Sequence, residues 1–245
     1  MNPEVPTFVL SCPERDDVVP GYLRSRELYW PDAPGPAVIL SDDTSNGWNA
    51  RLLRRVASWK GEFLIIQLDD LYYGRPVDGQ AVCRVIQAMS NDPSIGLVQL
   101  VGGVYPEITY PLPGFGRYDK KDRLYKRTQL TPTLARTRLF VPMLERVVGR
   151  LRKTDDRGWI GAYNYELTAG TESVAFEALG TTEPPDRWPI YTVNVLQQDK
   201  YTLQGIELST RLGFPIDTAR RGIFDPEGPQ PYVEAWRASR SGHSP

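Results

Sequence analysis

The sequence predicts an α/β fold: a mostly parallel sheet flanked by helices on both faces, with an elaborated C-terminal half. Three observations predict it. Short runs that are apolar throughout recur over the first hundred residues, at 7–11, 37–40, 62–68 and 95–100. Between them lie segments whose apolar residues fall three and four apart. Strands without polar alternation are buried on both faces, the signature of parallel strands covered by helices.

The elements follow in order. Thr7-Phe-Val-Leu-Ser11 reads as a strand and 18–29 as a helix, followed by a second strand at Ala37-Val-Ile-Leu40. Asp43, Thr44 or Ser45 is placed to cap a helix whose apolar stripe is Trp48, Leu52, Val56 and Trp59, with Arg51 and Arg54 off that stripe. Glu62-Phe-Leu-Ile-Ile-Gln-Leu68 is the strongest strand. Asp78 then caps a helix that carries Val82, Val85, Ile86 and Met89 on one face, and residues 95–100 make a fourth strand. Beyond residue 104 the pattern loosens. Pro106, Pro111 and Pro113 with Gly114 and Gly116 mark a loop, and 124–130 reads as an edge strand. Phe140, Leu144, Val147, Val148 and Leu151 suit a helix with Pro142 near its first turn. Residues 159–177 and 190–211 read as mixed structure, with a helix near 203–212. With no internal repeat and no separating linker, one domain is expected over 1–237, its halves meeting at 103 and 104, followed by a disordered tail at 238–245.

Composition removes several chemistries. The chain has 245 residues, 40% hydrophobic and 24% charged, as in ordinary globular proteins, and no run approaches the roughly 18 apolar residues of a membrane span. The N-terminus shows no basic segment followed by an apolar one, so no signal peptide is expected. Cys12 and Cys83 are too few for a disulfide framework and fit a reducing compartment, so a cytoplasmic location is expected. The one histidine, His243, sits in the tail, which argues against Ser-His-Asp or Cys-His catalysis and against a His/Cys zinc site. No phosphate-binding Gly-x-x-x-x-Gly-Lys loop occurs, and Gly114-Phe-Gly116 follows prolines rather than a strand. Carboxylates, hydroxyls, arginines and a hard metal ion are left to carry any chemistry.

Charge is unevenly spread. Residues 117–153 hold 12 basic and 3 acidic side chains, a net of +9, between flanks of −5 each. Within this island the six cations Arg117, Lys120, Lys121, Arg123, Lys126 and Arg127 interleave with Tyr118 and Tyr125. That composition suits phosphate contacts with base stacking; the alternative is a solvated loop that offsets its acidic flanks.

Ligands of an open parallel sheet bind outside the carboxyl ends of its strands. The four predicted strands exit into Ser11, Cys12, Glu14 and Arg15; Ser41, Asp42 and Asp43; Asp69, Asp70, Tyr72 and Tyr73; and Gly102 and Gly103. Asp69-Asp70 is the sharpest signal. Adjacent carboxylates after a buried strand repel unless positive charge sits beside them, and a Mg2+ or Mn2+ ion bridging to substrate phosphates would supply it. The alternative is one aspartate capping a turn and one in a surface pair, since Asp-Asp also occurs at 16–17, 42–43 and 155–156. Cys12, beside this crevice, reads as a small packing residue rather than a reactive thiol.

The segment Gly61-Glu-Phe-Leu-Ile-Ile-Gln-Leu-Asp-Asp-Leu-Tyr-Tyr, followed by Pro76-Val77-Asp78, resembles the strand and acidic pair of a bacterial and phage family of GT-A-type glycosyltransferases. Asn46-Gly-Trp-Asn-Ala-Arg-Leu-Leu resembles that family's preceding helix, and Leu130-Thr-Pro-Thr-Leu-Ala-Arg-Thr-Arg-Leu-Phe its segment after the acceptor loop. Tyr163-Asn-Tyr-Glu166-Leu resembles its aromatic-Glu position. Val195-Leu-Gln-Gln-Asp-Lys200-Tyr resembles a Gly-Lys-Trp motif, with Asp199 in place of Gly and Tyr201 in place of Trp.

The resemblance implies a GT-A-like fold and transfer of a sugar from a nucleotide-diphosphate donor, with 1–103 the donor half and 104–237 the acceptor half. It implies that Ser11, Arg15 and Asp43 contact nucleoside or ribose, and that Arg51 or Arg54 lies near the diphosphate. Asp70 would bind the divalent metal with Asp69 in support, and Glu166 would deprotonate the acceptor hydroxyl if transfer inverts the anomeric centre. Arg117, Tyr118, Lys120, Lys121, Tyr125 and Lys200 would meet the acceptor, either a hydroxylated base in phage DNA or an anionic, lipid-linked or surface glycan. A non-catalytic nucleotide or nucleic-acid binding protein and a nucleotidyltransferase are the competing expectations on the same fold.

Overall fold

A computed structural model of the chain describes residues 4–41, 48–102, 106–121, 124–151, 158–197 and 199–226. The expectations on Asp42, Asp43, Thr44, Ser45, Gly103, Asp155, Asp156 and the 238–245 tail with His243 lie outside the described residues. The chain divides into two compact units, 1–192 and 193–245.

In the first unit the apolar runs become strands where expected: β1 (Thr7–Leu10), β2 (Ala37–Leu40), β3 (Phe63–Leu68) and, after a short β4 (Leu71–Tyr73), β5 (Ile95–Gln99). Helices α1 (Val19–Tyr29), α2 (Trp48–Ser58) and α3 (Gly79–Asn91) intervene. Then come β6 (Ile108–Thr109), β7 (Phe115–Arg117), β8 (Thr133–Arg136), α4 (Thr137–Arg150), α5 (Gly158–Glu172) and β9 (Glu177–Thr181). β10 (Thr192–Asn194) stands at the division. The second unit holds the antiparallel hairpin β11 (Leu196–Gln197) and β12 (Lys200–Tyr201), then α6 (Leu203–Arg211).

Eight strands form one sheet in the order β2-β1-β3-β8-β5-β9-β7-β6, and strands from both sides of residue 103 share it. β1 is parallel to β2 and β3, and β5 is parallel to β9. β8 runs antiparallel between β3 and β5, and β7 opposes β9 and β6. Six strands therefore point one way. The expected α/β class, a mostly parallel sheet between helical layers, is the one observed.

Side-chain alternation assigns the layers. Phe8, Leu10, Leu64, Ile66 and Leu97 pack in one core with Leu52 and Val56 of α2, Phe140 and Leu144 of α4, and Tyr165 and Ala169 of α5. Each fully buried side chain of this size contributes roughly 1.5–3 kcal/mol of transfer free energy. The alternate residues face the other way: Gln67 accepts the Tyr73 hydroxyl at 2.8 Å, and the Tyr73 ring lies against Tyr22 of α1 and Trp30. α3 is on this second face, its buried stripe being Val82, Val85, Ile86 and Met89, and the Asp78 carboxylate accepts the Ala81 amide at 2.9 Å, the expected N-cap.

Two sequence readings are corrected. Residues 124–130 are not an edge strand; 124–128 form a 3-10 helix with Lys126 and Arg127 buried. The Arg127 guanidinium is the cause. It donates to Ser173 Oγ (3.0 Å) and to the carbonyls of Tyr118 (3.0 Å), Ser173 (2.9 Å) and Phe176 (2.6 Å), which a strand could not place around it. Arg127→Met removes every one of these donors and strands buried carbonyls. Urea titration should show a loss of about 3–5 kcal/mol. Pro142, in turn, lies well inside α4, which begins at Thr137. It deletes one intrahelical N–H, and the buried Phe140, Met143 and Leu144 hold the helix together across that gap.

Candidate functional site

The site forms where β1 and β3 end side by side. Leu10 is opposite Leu68 in the parallel register, so Ser11 and Asp69 follow at the same level, and the Asp69 amide donates to the Leu10 carbonyl at 3.1 Å. After Ser11 the chain makes a one-turn 3-10 helix, Pro13–Arg15, while Asp69-Asp70 is the two-residue turn between β3 and β4. Ser11 Oγ donates to Asp69 Oδ2 at 2.6 Å. Arg15 Nη1 donates to Asp69 Oδ1 at 2.9 Å and to Asp70 Oδ2 at 3.1 Å. The positive charge that the acidic pair requires is thus supplied by Arg15, a partner that sequence reasoning had assigned to the nucleoside.

Both aspartates are buried, Asp69 completely and Asp70 to 7% exposure. Burial raises the Asp69 pKa, opposed by the Arg15 charge and the Ser11 hydrogen bond. Burial also pushes Asp70 up to about 6, with Arg15 pulling it down and Asp69 pushing it further up. Burial opposes the Arg15 charge as well, but Asp70 and Asp69 outweigh it and the guanidinium pKa is raised. The site therefore sets two buried carboxyls around one guanidinium, each pushed toward its protonated form by burial and pulled back by Arg15.

One atom in it is unsatisfied. Asp70 Oδ1 is buried and has no hydrogen-bond partner among the described residues. Buried polar atoms of this kind are uncommon, and an ion or ligand is one of the few physical reasons for them. Among the described residues no group of three or more His, Cys, Asp or Glu could enclose a metal. A hard divalent ion needs no such group when one or two carboxylates are completed by substrate phosphates and water, and Asp70 with Asp69 fits that mode.

Arg51 of α2 is buried, and its Nη2 lies 3.5 Å from the Ser11 carbonyl, so α2 brings this arginine to the crevice. Arg54, one turn on, is exposed. Cys12 is partly buried; burial and the hydrogen bond to Glu14 push its thiol up to about 11, so it stays protonated and packs rather than reacts.

Glu166 reaches the same sheet edge by another route. Thr133 of β8 pairs with Ile66 of β3 in antiparallel register, so Leu130 precedes β8 at the carboxyl end of β3. The Leu130 amide donates to Glu166 Oε1 at 3.0 Å, and Thr128 Oγ1 donates to the Glu166 carbonyl at 2.9 Å. Gly170, one turn further along α5, permits this approach, because a Cβ there would lie 2.4 Å from the Leu124 carbonyl oxygen. Burial pushes Glu166 up to about 7, with the Leu130 amide acting in the opposite direction. A carboxyl that titrates near neutrality is suited to proton transfer.

The residues expected to meet an acceptor are not gathered in this way. Tyr118 is buried and donates to Gln99 at 2.8 Å, a structural role in place of base stacking. Arg117 and Lys120 pair with Glu177 at 3.5 and 2.7 Å, and Lys126 pairs with Glu107 at 2.5 Å. Arg146 and Arg150 both engage Glu172, and Arg136 is buried against Glu62. Lys121 and Tyr125 are exposed. Lys200, in the second unit, is exposed on the β11–β12 hairpin. Asp199 beside it has φ 62°, so this position holds the left-handed backbone that a glycine would supply in the motif it resembles.

Sequence reasoning missed a cleft of about 540 Å³ lined by Arg75, Asp78, Arg84, Glu183, Arg187 and Trp188 among others. Its walls come from segments far apart in the chain, and no motif joins them.

No protein-family model matches the chain, and no curated protein matches it either. Solved structures with a similar arrangement include glucosyl-3-phosphoglycerate synthase from Mycobacterium tuberculosis in complex with Mn2+, uridine-diphosphate-glucose and phosphoglyceric acid. It matches at 12% identity over 71% of this chain and 80% of that one, TM-score 0.38. S. aureus TarS matches at 11% identity over 75% and 61%, TM-score 0.41. Mannosyl-3-phosphoglycerate synthase from Rubrobacter xylanophilus matches at 15% identity over 56% and 55%, TM-score 0.33. Against another structure of the M. tuberculosis synthase, in complex with phosphoglyceric acid, and against the Rubrobacter enzyme, the match spans a little over half the length of those chains, 58% and 55%. The likeness is one of general sheet-and-helix arrangement. Among the described residues, no helix is long and apolar enough to cross a membrane.

Proposed function

We propose that the chain is a nucleotide-sugar-dependent glycosyltransferase whose donor diphosphate lies over Asp69 and Asp70. The observation that carries this is the acidic turn at the carboxyl end of β3, held by Ser11 and Arg15, with Asp70 Oδ1 buried and unpartnered. Ser11, Arg15 and Arg51 take the donor side, with Asp43 and Arg54 further candidates. Asp70, backed by Asp69, would hold a divalent ion, which would offset the charge of the departing diphosphate. Glu166 accepts the proton of the acceptor hydroxyl as its oxygen bonds to the anomeric carbon. The bond from that carbon to the diphosphate breaks, the nucleoside diphosphate leaves with the bonding pair, and the configuration inverts.

The acceptor follows from the basic segment. Among the described residues, Arg117, Lys120, Lys126, Arg136, Arg146 and Arg150 pair with Glu177, Glu107, Glu62 and Glu172, which favours the hydroxyl of a small or lipid-linked glycan over a DNA backbone. Phosphate-driven binding would need several free cations and would weaken steeply with salt. A gel-shift titration with single- and double-stranded DNA should show no shift even at low salt; a salt-sensitive shift would restore the DNA reading, with the exposed Lys121 and Tyr125 as its contacts.

Incubation with a panel of nucleotide-sugars, followed by assay of released nucleoside diphosphate, tests the reaction class. Pyrophosphate released from a triphosphate would instead identify a nucleotidyltransferase, and binding without release a non-catalytic protein.

A further inference from the structure

We infer that Arg15 occupies the position of the divalent cation in the donor-free protein, and that a nucleoside diphosphate draws it off the aspartates, so that ion and nucleotide bind as a coupled pair. The inference deepens the glycosyltransferase reading and rests on it.

A single nitrogen, Arg15 Nη1, is hydrogen-bonded to Asp69 Oδ1 and Asp70 Oδ2, two of the oxygens an ion between these residues would use. The third inner oxygen, Asp69 Oδ2, is taken by Ser11. Among the described residues Asp70 Oδ1 alone is left, and one carboxylate oxygen makes a poor site for a hard ion that prefers six or more oxygen ligands. An ion arriving alone must also approach a guanidinium of like charge. For the ion by itself, the site is closed.

A diphosphate changes both conditions. Phosphate oxygens match the planar guanidinium as well as carboxylates do, so Arg15 can exchange one set of charge-assisted hydrogen bonds for another. Its side chain is 21% exposed, against 0% for that of Asp69, so the arginine stands at the mouth and can turn outward while the aspartates stay fixed. Its departure frees Asp69 Oδ1 and Asp70 Oδ2, and the phosphates complete the ion's ligands. Binding free energies are reciprocal, so whatever factor the nucleotide adds to metal affinity, the metal adds to nucleotide affinity.

Titrating the full chain with MnCl2, read by the paramagnetic resonance of free Mn2+, tests this without turnover. The titration is run alone, with UDP and with GDP, and corrected for Mn2+–nucleotide complexes in solution. Wild type should bind Mn2+ at least tenfold tighter with one of the two nucleotides than alone. Arg15→Ala should bind Mn2+ alone at least tenfold tighter than wild type does, and should lose most of the coupling. Equal Mn2+ affinity with and without nucleotide in wild type overturns the inference and leaves the glycosyltransferase reading standing. So does an Arg15→Ala variant whose Mn2+-only affinity is unchanged. Absence of any Mn2+ site in wild type, with either nucleotide, overturns the inference and removes the metal from the proposed reaction as well. If Arg15→Ala does not fold, the wild-type comparison decides alone.

Discussion

Glu166→Gln should lower turnover on the order of 10²–10⁴-fold while leaving donor affinity close to wild type. The substitution keeps the shape of the side chain and an oxygen that can accept the Leu130 amide, and removes only the capacity to take a proton. The wild-type rate should rise with pH through about 7, where burial places this carboxyl, and that limb should vanish in the variant. Stability should respond in the opposite sense. A carboxyl whose pKa is raised in the folded state contributes stability that is fully present below its unfolded value of 4.5 and is lost as pH rises through about 7. Glu166→Gln should flatten that part of the stability profile. A retaining product, or unchanged turnover, would return Glu166 to a structural role bracing 124–130 against α5.

Asp70→Asn should cost on the order of 10²–10³-fold in turnover, the scale for removing one preorganised electrostatic contact to a developing charge. Its thermal stability should hold or rise. Asn retains an oxygen for Arg15 and removes one of two adjacent buried carboxylates that repel each other, so the folded state is relieved of that repulsion as the reaction loses a ligand. Opposite signs for stability and activity mark a residue kept for function. Wild-type kcat/KM, which reports the free enzyme, should also fall below pH about 6, where Asp70 protonates in the metal-free site. A variant that loses stability and keeps its activity would make the aspartate structural.

Much of the fold could be read from the chain because its signals were local. β1, β2, β3 and β5 announce themselves as apolar runs, and Asp78 followed by Val82, Val85, Ile86 and Met89 specifies α3 with its cap. The insertion of β8 between β3 and β5 was not legible. Thr133-Leu-Ala-Arg136 is four residues long, and nothing in so short a run encodes its direction or its neighbours. The site divides in the same way. An acidic pair after a buried strand is a sequence pattern, but Arg15 as its counter-charge depends on β1 lying beside β3, a fact of register. The basic island was legible only in part, for a related reason. A run of cations shows its own charge and not the distant Glu62, Glu107, Glu172 and Glu177 that engage it.

The central claim is that Asp69 and Asp70 hold a nucleoside diphosphate through a divalent ion. Crystals soaked with MnCl2 and UDP or GDP, with data collected at the manganese absorption edge, test it most directly. The account predicts an anomalous peak within coordination distance of Asp70, diphosphate density bridging it, and the Arg15 side chain turned from the carboxylates onto the phosphates. Diphosphate density in the cleft beside Arg75, Arg187 and Trp188, with no manganese peak at Asp70, would contradict it.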